Sequence, residues 1–237
     1  MRTSGQAKIV VIISAGAEWR ETISILKPAA CEMSPYGEFF SIESGGEYSE
    51  NIMFFHGGVG KISAAGSAQY VIDKFSPGFL INIGSCGGFE GAVRRGDIIM
   101  ADETVVYDIY DSMEGGETTL NRYITKLETD PWKDLFKGEV MVHKLISADR
   151  DLIPAEVEAL REKFGAIAGD WESGAIAYVA SKNSVKLLIL KGVSDIVSRH
   201  GGEAYGDIKS FYDGTGIVMA KLIKLLFKAF DHLGRQI

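Results

Sequence analysis

The chain has 237 residues and a formal net charge of −7, with a pI near 5.2. This acidic balance excludes a general electrostatic attraction to nucleic acids or to anionic membrane surfaces. Apolar residues make up 46% of the chain, which is enough for a globular protein with an ample core.

The polar residues 1–8 lead directly into the apolar run 9–13, which is too short for the core of a signal peptide followed by a cleavage site. No run approaches the roughly twenty apolar residues that a membrane span needs. The two cysteines, Cys31 and Cys86, lie far apart and have no CxxC spacing, so neither a zinc site nor a disulfide framework is indicated. We therefore expect a cytoplasmic protein.

Apolar runs and helical patterns alternate along the chain. Short runs rich in β-branched residues predict strands covered on both faces at 9–13, 79–83 and 187–190, and another strand is expected over roughly 97–106. Helical spacing predicts helices at 61–74, 154–164, 171–182 and 216–232. Residues 107–137 show little periodicity and are expected to form a long surface excursion, a candidate for partner contacts. The predicted fold class is α/β, in a single domain over residues 1–237.

Two glycine-rich segments adjoin these elements. In HGGVGK at 56–61, a phosphate loop is excluded because Ile62 stands where Ser or Thr would hold magnesium. A glycine turn that opens a helix onto a ligand and a plain tight turn both stay open for this segment. The second segment, NIGSCGG at 82–88, follows a predicted buried strand, and glycines there allow a ligand to approach the backbone closely. We interpret Cys86 as a buried apolar filler, since no histidine lies near it in sequence.

Two acidic motifs are candidates for chemistry. In DWESG at 170–174, Asp170 and Glu172 precede a predicted helix, which they could cap, and a carboxylate there could also accept hydrogen bonds from vicinal sugar hydroxyls. In KGVSD at 191–195, Asp195 follows the third buried strand, either over the ligand crevice of the sheet or as an ordinary turn residue. Over the crevice, partial burial would raise its pKa towards proton donation.

Taken in order, these motifs resemble the purine nucleoside phosphorylase and methylthioadenosine/S-adenosylhomocysteine nucleosidase superfamily, and most of all its methylthioadenosine nucleosidase branch. The resemblance is carried by Glu18 after the first strand, then by GGVGK, INIGSCGGF, GDIIMADE, DWESGAIAYVA and LKGVSDIV. It implies a central mixed twisted sheet flanked by helices, a homodimer, and hydrolysis of the N-glycosidic bond of a purine nucleoside such as 5′-methylthioadenosine or S-adenosylhomocysteine. It implies neither a metal nor an organic cofactor.

The resemblance also implies roles for individual residues. Asp195 is expected to protonate the purine as a general acid, which requires that it is kept protonated, or shares a proton with Ser194, near neutral pH. Glu18 is expected to position and deprotonate the attacking water. Glu172 is expected to bind the 2′ and 3′ hydroxyls of the ribose, and Tyr205 to form an aromatic wall of the 5′ pocket. The other substrate-binding positions implied by the matching motifs are Trp171, Ser85, Gly87, Lys191 and Leu152.

Some positions depart from the pattern of the family. Asn82 stands where related phosphorylases carry a phosphate-binding arginine, and a negative Glu18 would repel phosphate, so we expect water as the nucleophile. The alternatives are a phosphorylase, with Lys191 as an anion ligand, and a nucleoside-binding protein without turnover. Trp171 replaces the usual methionine and would crowd or stack on the 5′ side of the sugar, while Asp151 stands where an apolar or aromatic residue would pack on the base.

Overall fold

The computed structural model describes residues 9–43, 51–113 and 117–234, whose eleven strands form one mixed sheet. The strands are β1 (Ile9–Ile13), β2 (Glu32–Met33), β3 (Glu38–Glu43), β4 (Asn51–His56), β5 (Phe79–Phe89), β6 (Ile98–Val106), β7 (Ile124–Lys126), β8 (Met141–Ser147), β9 (Ala168–Asp170), β10 (Lys186–Ser198) and β11 (Gly201–Gly202). The helices are α1 (Gly16–Leu26), α2 (Gly60–Phe75), α3 (Glu117–Asn121), α4 (Asp130–Lys133), α5 (Val157–Phe164), α6 (Ser173–Lys182) and α7 (Ile208–Gly234), with a 3-10 turn at Pro154–Glu156. The predicted α/β class is confirmed.

The strand β5 is the centre of the sheet. Its first half pairs in parallel with β1 on one side and β10 on the other, and β1 pairs in parallel with β4. Its second half pairs antiparallel with β9, and the pairs β9–β8, β8–β6 and β6–β10 lead back to β10. The sheet therefore closes on one side into a small barrel of five strands, while β1, β4, β3 and β2 extend from it as an open sheet.

Helices cover both faces of the parallel strands. In β1, Val10 and Ile12 pack into a cluster with side chains of α2 and α6, whereas Ile9, Val11 and Ile13 pack into a second cluster with side chains of α1 and α7. Every residue of β1 is therefore buried, which is why the run is apolar without alternation. Within the described part of the chain, no helix combines the length and apolarity needed to cross a membrane.

The sequence predicted the main elements better than it predicted their limits. The strand at 9–13 is confirmed, and the strands at 79–83 and 187–190 are longer, because β5 and β10 continue along each other beyond these runs. The helix predicted at 171–182 begins at Ser173, since the preceding residues leave the strand β9. The helix predicted at 216–232 begins earlier, at Ile208, and the one predicted at 154–164 starts as a 3-10 turn.

The surface excursion expected at 107–137 contains regular structure. It holds α3, β7 and α4, and β7 pairs with β6. Trp132 and Phe136 are buried and join the cluster around α7. These elements have three to five residues each, too few to show a period in the sequence. Residues 114–116 of the excursion lie outside the described residues, as do residues 1–8.

Candidate active site

A cavity of about 930 Å³ opens beyond the end of β1, beside the middle of β5 and β10. This is the crevice in which α/β sheets bind small molecules, and the volume falls within the range of roughly 300–1,000 Å³ that is usual for ligand sites. The residues predicted from the sequence that line it are Glu18, Ser85, Gly87, Leu152, Trp171, Glu172, Ser194, Asp195 and Tyr205. Lys191 is the predicted residue that does not line it.

Glu18 lies in the first turn of α1 and is held from two sides. Its Oε2 accepts the backbone N–H of Ala15 at 3.0 Å. Its Oε1 accepts both the backbone N–H of Ser85, at 2.6 Å, and the Ser85 hydroxyl, at 2.8 Å. Gly84 leaves room for this approach, since a Cβ atom there would lie only 2.7 Å from Oε1. The NIGSCGG segment therefore fixes the carboxylate of Glu18 on the cavity wall.

A bulge in β10 presents Ser194 and Asp195 to the cavity. The pairing with β5 shifts register between Val193 and Asp195, so Ser194 is an extra residue, and bulges of this kind re-aim side chains. The Ser194 hydroxyl donates to Oδ1 of Asp195 at 2.8 Å. Burial raises the pKa of Asp195, and this effect outweighs the Ser194 hydrogen bond, which lowers it. A raised pKa is what a carboxyl group needs to donate a proton near neutral pH.

Glu172 is a further buried carboxyl group on the wall. Its Oε1 accepts the backbone N–H of Gly60, the first residue of α2, at 2.9 Å. Burial raises the pKa of Glu172 to about 8, with Lys191 opposing the rise and the carboxylate of Asp170 adding to it. Hydrogen bonds from the hydroxyls of a bound sugar would favour the ionised form. The HGGVGK turn contributes to the site by holding this carboxyl group through its backbone.

Lys191 lies behind the cavity wall and is fully buried. Its Nζ atom is 2.9 Å from Oδ2 of Asp170. Burial lowers the pKa of Lys191, but the negative charges of Asp170, Glu18 and Glu172 outweigh burial and raise it above its ordinary value. The positive charge of Lys191 therefore compensates the negative charges of buried carboxylates. Lys191 does not line the cavity, whereas the sequence analysis expected it to contact the substrate.

Asp170 has a larger role than the sequence suggested. Its carboxylate accepts the backbone N–H of Ser173, the first residue of α6, at 3.1 to 3.2 Å, which is one of the two roles that the sequence left open for the acids before this helix. It also accepts the hydroxyl of Ser147 at 2.6 Å and contacts the Ser173 hydroxyl. Together with Lys191 these donors surround the carboxylate. No signal in the sequence connects Lys191 to Asp170, since the two residues lie on separate strands.

The outer part of the wall joins two loops and two helices. The hydroxyl of Tyr205 donates to the carbonyl oxygen of Leu152 at 2.6 Å, which ties the segment before α7 to the segment after β8. Sequence reasoning missed Arg20, Phe211 and Tyr212, which also line the cavity. The guanidinium carbon of Arg20 lies 5.4 Å from the centre of the Tyr212 ring. These partly or fully exposed positions belong to α1 and α7, and only the fold brings them together.

Two other positions singled out from the sequence belong to the interior. Cys86 is buried in an apolar cluster behind the cavity surface that it helps to line, and burial raises the pKa of its thiol well above the ordinary value, which agrees with the filler interpretation. Asn82 is fully buried, and its side-chain amide donates to the carbonyl oxygen of Ile12 at 3.0 Å. Within the described residues, no three His, Cys, Asp or Glu side chains are grouped so that they could hold a metal ion.

Fold and site together define a class of protein. The carboxyl groups of Glu18, Glu172 and Asp195 surround one cavity of small-molecule size at the ligand crevice of an α/β sheet. Asp195 has the raised pKa of a proton donor, and Glu18 is fixed by three hydrogen bonds. This is the arrangement of an enzyme that acts on a small molecule by acid–base chemistry.

The chain belongs to the phosphorylase superfamily, whose family model matches residues 9–228, and the resemblance seen in its motifs is thereby confirmed. It is 27% identical over 185 residues to the 5′-methylthioadenosine/S-adenosylhomocysteine nucleosidase of Geobacillus sp. (strain WCH70), covering 73% of this chain and 78% of that protein. Its fold is similar to that of the Arabidopsis thaliana 5′-methylthioadenosine nucleosidase, with a TM-score of 0.77, 20% identity, and coverage of 94% and 95%. It is also similar to the futalosine hydrolase of Helicobacter pylori strain 26695, with a TM-score of 0.79, 16% identity, and coverage of 95% and 98%.

Proposed function

We propose that the protein hydrolyses the N-glycosidic bond of 5′-methylthioadenosine, S-adenosylhomocysteine or a related purine nucleoside, and releases the free base and the ribose moiety. The observation that carries the proposal is the arrangement of Glu18, Glu172 and Asp195 around one cavity. The names of the curated relatives agree with this activity.

In the proposed reaction, Asp195 gives its proton to the purine, so that the base leaves as a neutral molecule when the C1′–N bond breaks. The sugar gains positive charge at C1′, and buried carboxylates on the wall stabilise that charge. The oxygen of a water molecule bonds to C1′ and its proton passes to Glu18. Glu172 accepts hydrogen bonds from the 2′ and 3′ hydroxyls and fixes the ribose between the other two groups.

Water is the proposed nucleophile because neither of the two positions that the sequence analysis considered for phosphate, Asn82 and Lys191, lines the cavity. Asn82 joins β5 to β1, and Lys191 is paired with Asp170 behind the wall. A phosphate ion beside C1′ would instead meet the carboxylate of Glu18, which is unfavourable at short range. These contacts favour hydrolysis over the phosphorylase alternative.

The test is to incubate the purified protein with 5′-methylthioadenosine, S-adenosylhomocysteine, adenosine and inosine, each with and without inorganic phosphate, and to follow free base by chromatography. We expect release that does not depend on phosphate. Release only with phosphate, together with ribose 1-phosphate, would make the protein a phosphorylase. Tight binding of a nucleoside with no release of base under any condition would support a binding protein.

We also propose that the protein is a cytoplasmic homodimer whose contact surface adjoins the cavity. Apolar side chains are exposed at the start of α2 and in the segment after β6, where Ile62 is 87% and Met113 92% exposed. An ion pair between Lys61 and Asp108 holds these two regions together. Large exposed apolar side chains in two segments that an ion pair links support a contact surface here.

The proposed cytoplasmic location rests on the two free cysteines, which suit a reducing compartment, and cell fractionation would test it.

Sedimentation velocity tests the assembly. We expect the wild-type protein to sediment as a dimer and Ile62→Glu to shift towards monomer, because a charge at a buried contact is costly. The matched control is Ile25→Glu, a change at another exposed isoleucine, which lies on α1. A wild-type monomer at micromolar concentration would contradict the proposal.

A further inference from the structure

The cavity extends beyond the three carboxyl groups towards the protein surface. Glu18, Glu172 and Asp195 are nearly inaccessible, so they mark its inner end. Its outer end is formed by the exposed residues Arg20, Ile208 and Tyr212 together with the half-buried Phe211, and we call these four residues the outer compartment. When the three acids hold a nucleoside, the outer compartment remains available for a substituent of that nucleoside.

The orientation of the proposed substrate assigns the outer compartment to the 5′ substituent. Asp195 takes the base and Glu172 takes the 2′ and 3′ hydroxyls, so the 5′ carbon is the part of the nucleoside that has no assigned contact. The aromatic wall expected for the 5′ side, Tyr205, begins a stretch that lines the cavity as far as Tyr212. The 5′ substituent therefore extends along this stretch towards the start of α7.

Arg20 is placed to receive a charge there. Of the two arginines that line the cavity, Arg150 is paired with Glu156, whereas Arg20 has no acidic partner among the described residues. The wall residue Asp207 is engaged in capping α7, where it accepts the backbone N–H groups of Lys209 and Ser210. The guanidinium carbon of Arg20 lies 5.4 Å from the centre of the Tyr212 ring, and a guanidinium group held over an aromatic ring can still donate two parallel N–H hydrogen bonds to a carboxylate.

We propose that Arg20 is a specificity-determining residue that binds a carboxylate at the end of the 5′ substituent, while Phe211, Tyr212 and Ile208 contact the apolar part of that substituent. The inference rests on the proposed function. It makes the preferred substrates nucleosides with an acid-bearing 5′ chain, and it distinguishes them from nucleosides whose 5′ group is short and uncharged.

The test uses two nucleosides that differ only at the end of the chain, 5′-S-(3-carboxypropyl)-5′-thioadenosine and its carboxamide. For the wild-type protein we expect kcat/KM for the acid to exceed that for the amide by about 5- to 10-fold, mostly through KM, as for one partly exposed charged contact. Arg20→Met should bring the ratio to about one, and Arg20→Lys should keep part of it. Arg161→Met, which changes an exposed arginine of α5 away from the cavity, should keep the wild-type ratio.

The outcomes separate this inference from the proposed function. Release of adenine from the amide by the wild-type protein supports hydrolysis whatever the ratio is. A ratio that Arg20→Met leaves unchanged, or a wild-type protein that prefers the amide, overturns the role of Arg20. If neither compound is cleaved, the ratio of the Kd values for the acid and the amide, measured by isothermal titration calorimetry, still decides on Arg20, and the proposed function is decided by base release from the four nucleosides named above.

Discussion

Replacement of the buried Lys191 by methionine should lower the free energy of unfolding by about 3 kcal/mol. Lys191 is fully buried, the side chain of Asp170 is 2% exposed, and their charged atoms are 2.9 Å apart. Removal of one partner of a buried ion pair costs roughly 3–5 kcal/mol, because the other charge is left without compensation. We expect the lower end of this range, since Ser147 and Ser173 would still donate to the Asp170 carboxylate.

Urea unfolding, followed by tryptophan fluorescence, measures this loss. The control is a double-mutant cycle with Asp170→Asn and the double variant Asp170→Asn/Lys191→Met, in which neither charge is left alone. The double variant should lose less stability than the sum of the two single variants, with a coupling of at least about 1 kcal/mol. A loss below about 1 kcal/mol for Lys191→Met, or additive losses in the cycle, would refute the role given to this pair.

Three further predictions concern the carboxyl groups of the cavity. Asp195→Asn should lower kcat by about 100- to 10,000-fold with little change in thermal unfolding, because the proton donor is lost, and near-normal turnover would contradict the assignment. Ser194→Ala removes a hydrogen bond that lowers the pKa of Asp195, so the alkaline limb of the kcat/KM profile should move to higher pH, and a move to lower pH would exclude this effect. Folding raises the pKa of Glu172 from 4.5 to about 8, so the folded state keeps a proton that the unfolded chain releases within this window. Between pH 4.5 and 8 the free energy of unfolding of the wild-type protein should therefore fall relative to that of Glu172→Gln, by up to about 1.4 kcal/mol per pH unit in urea titrations, whereas parallel curves would contradict the shift.

Local patterns predicted the elements whose burial is uniform. β1 is buried on both faces and reads as five apolar residues in sequence, so its limits are visible without the fold. β5 and β10 could be predicted only in their first halves. Beyond residues 83 and 190 their sequences turn to glycine and polar residues, and they remain strands because each continues to pair with the other. Pairing between distant segments, such as that of β9 with β5, leaves no local period.

The residues of the site could likewise be predicted from the sequence only in part. Glu18, Glu172 and Asp195 could be named because their motifs resemble a known family, and each of them lines the cavity. The partner of Lys191 could not be named, because an ion pair between two strands depends on the order of the sheet. Arg20 was missed for a different reason. An exposed arginine on a helix carries no signal until α7 brings Tyr212 against it.

The central claim is that Glu18 activates water for attack on C1′, and the most direct test is base release in a single turnover by Glu18→Gln. The substituted side chain keeps its size and an oxygen that can accept from Ser85, but it cannot take a proton from water. The rate should be measured on the best nucleoside substrate, with and without inorganic phosphate, beside the wild-type protein. We predict a rate at least about 100-fold below wild type that phosphate does not restore. A rate near that of the wild-type protein, or release accelerated by phosphate with formation of ribose 1-phosphate, would contradict the account.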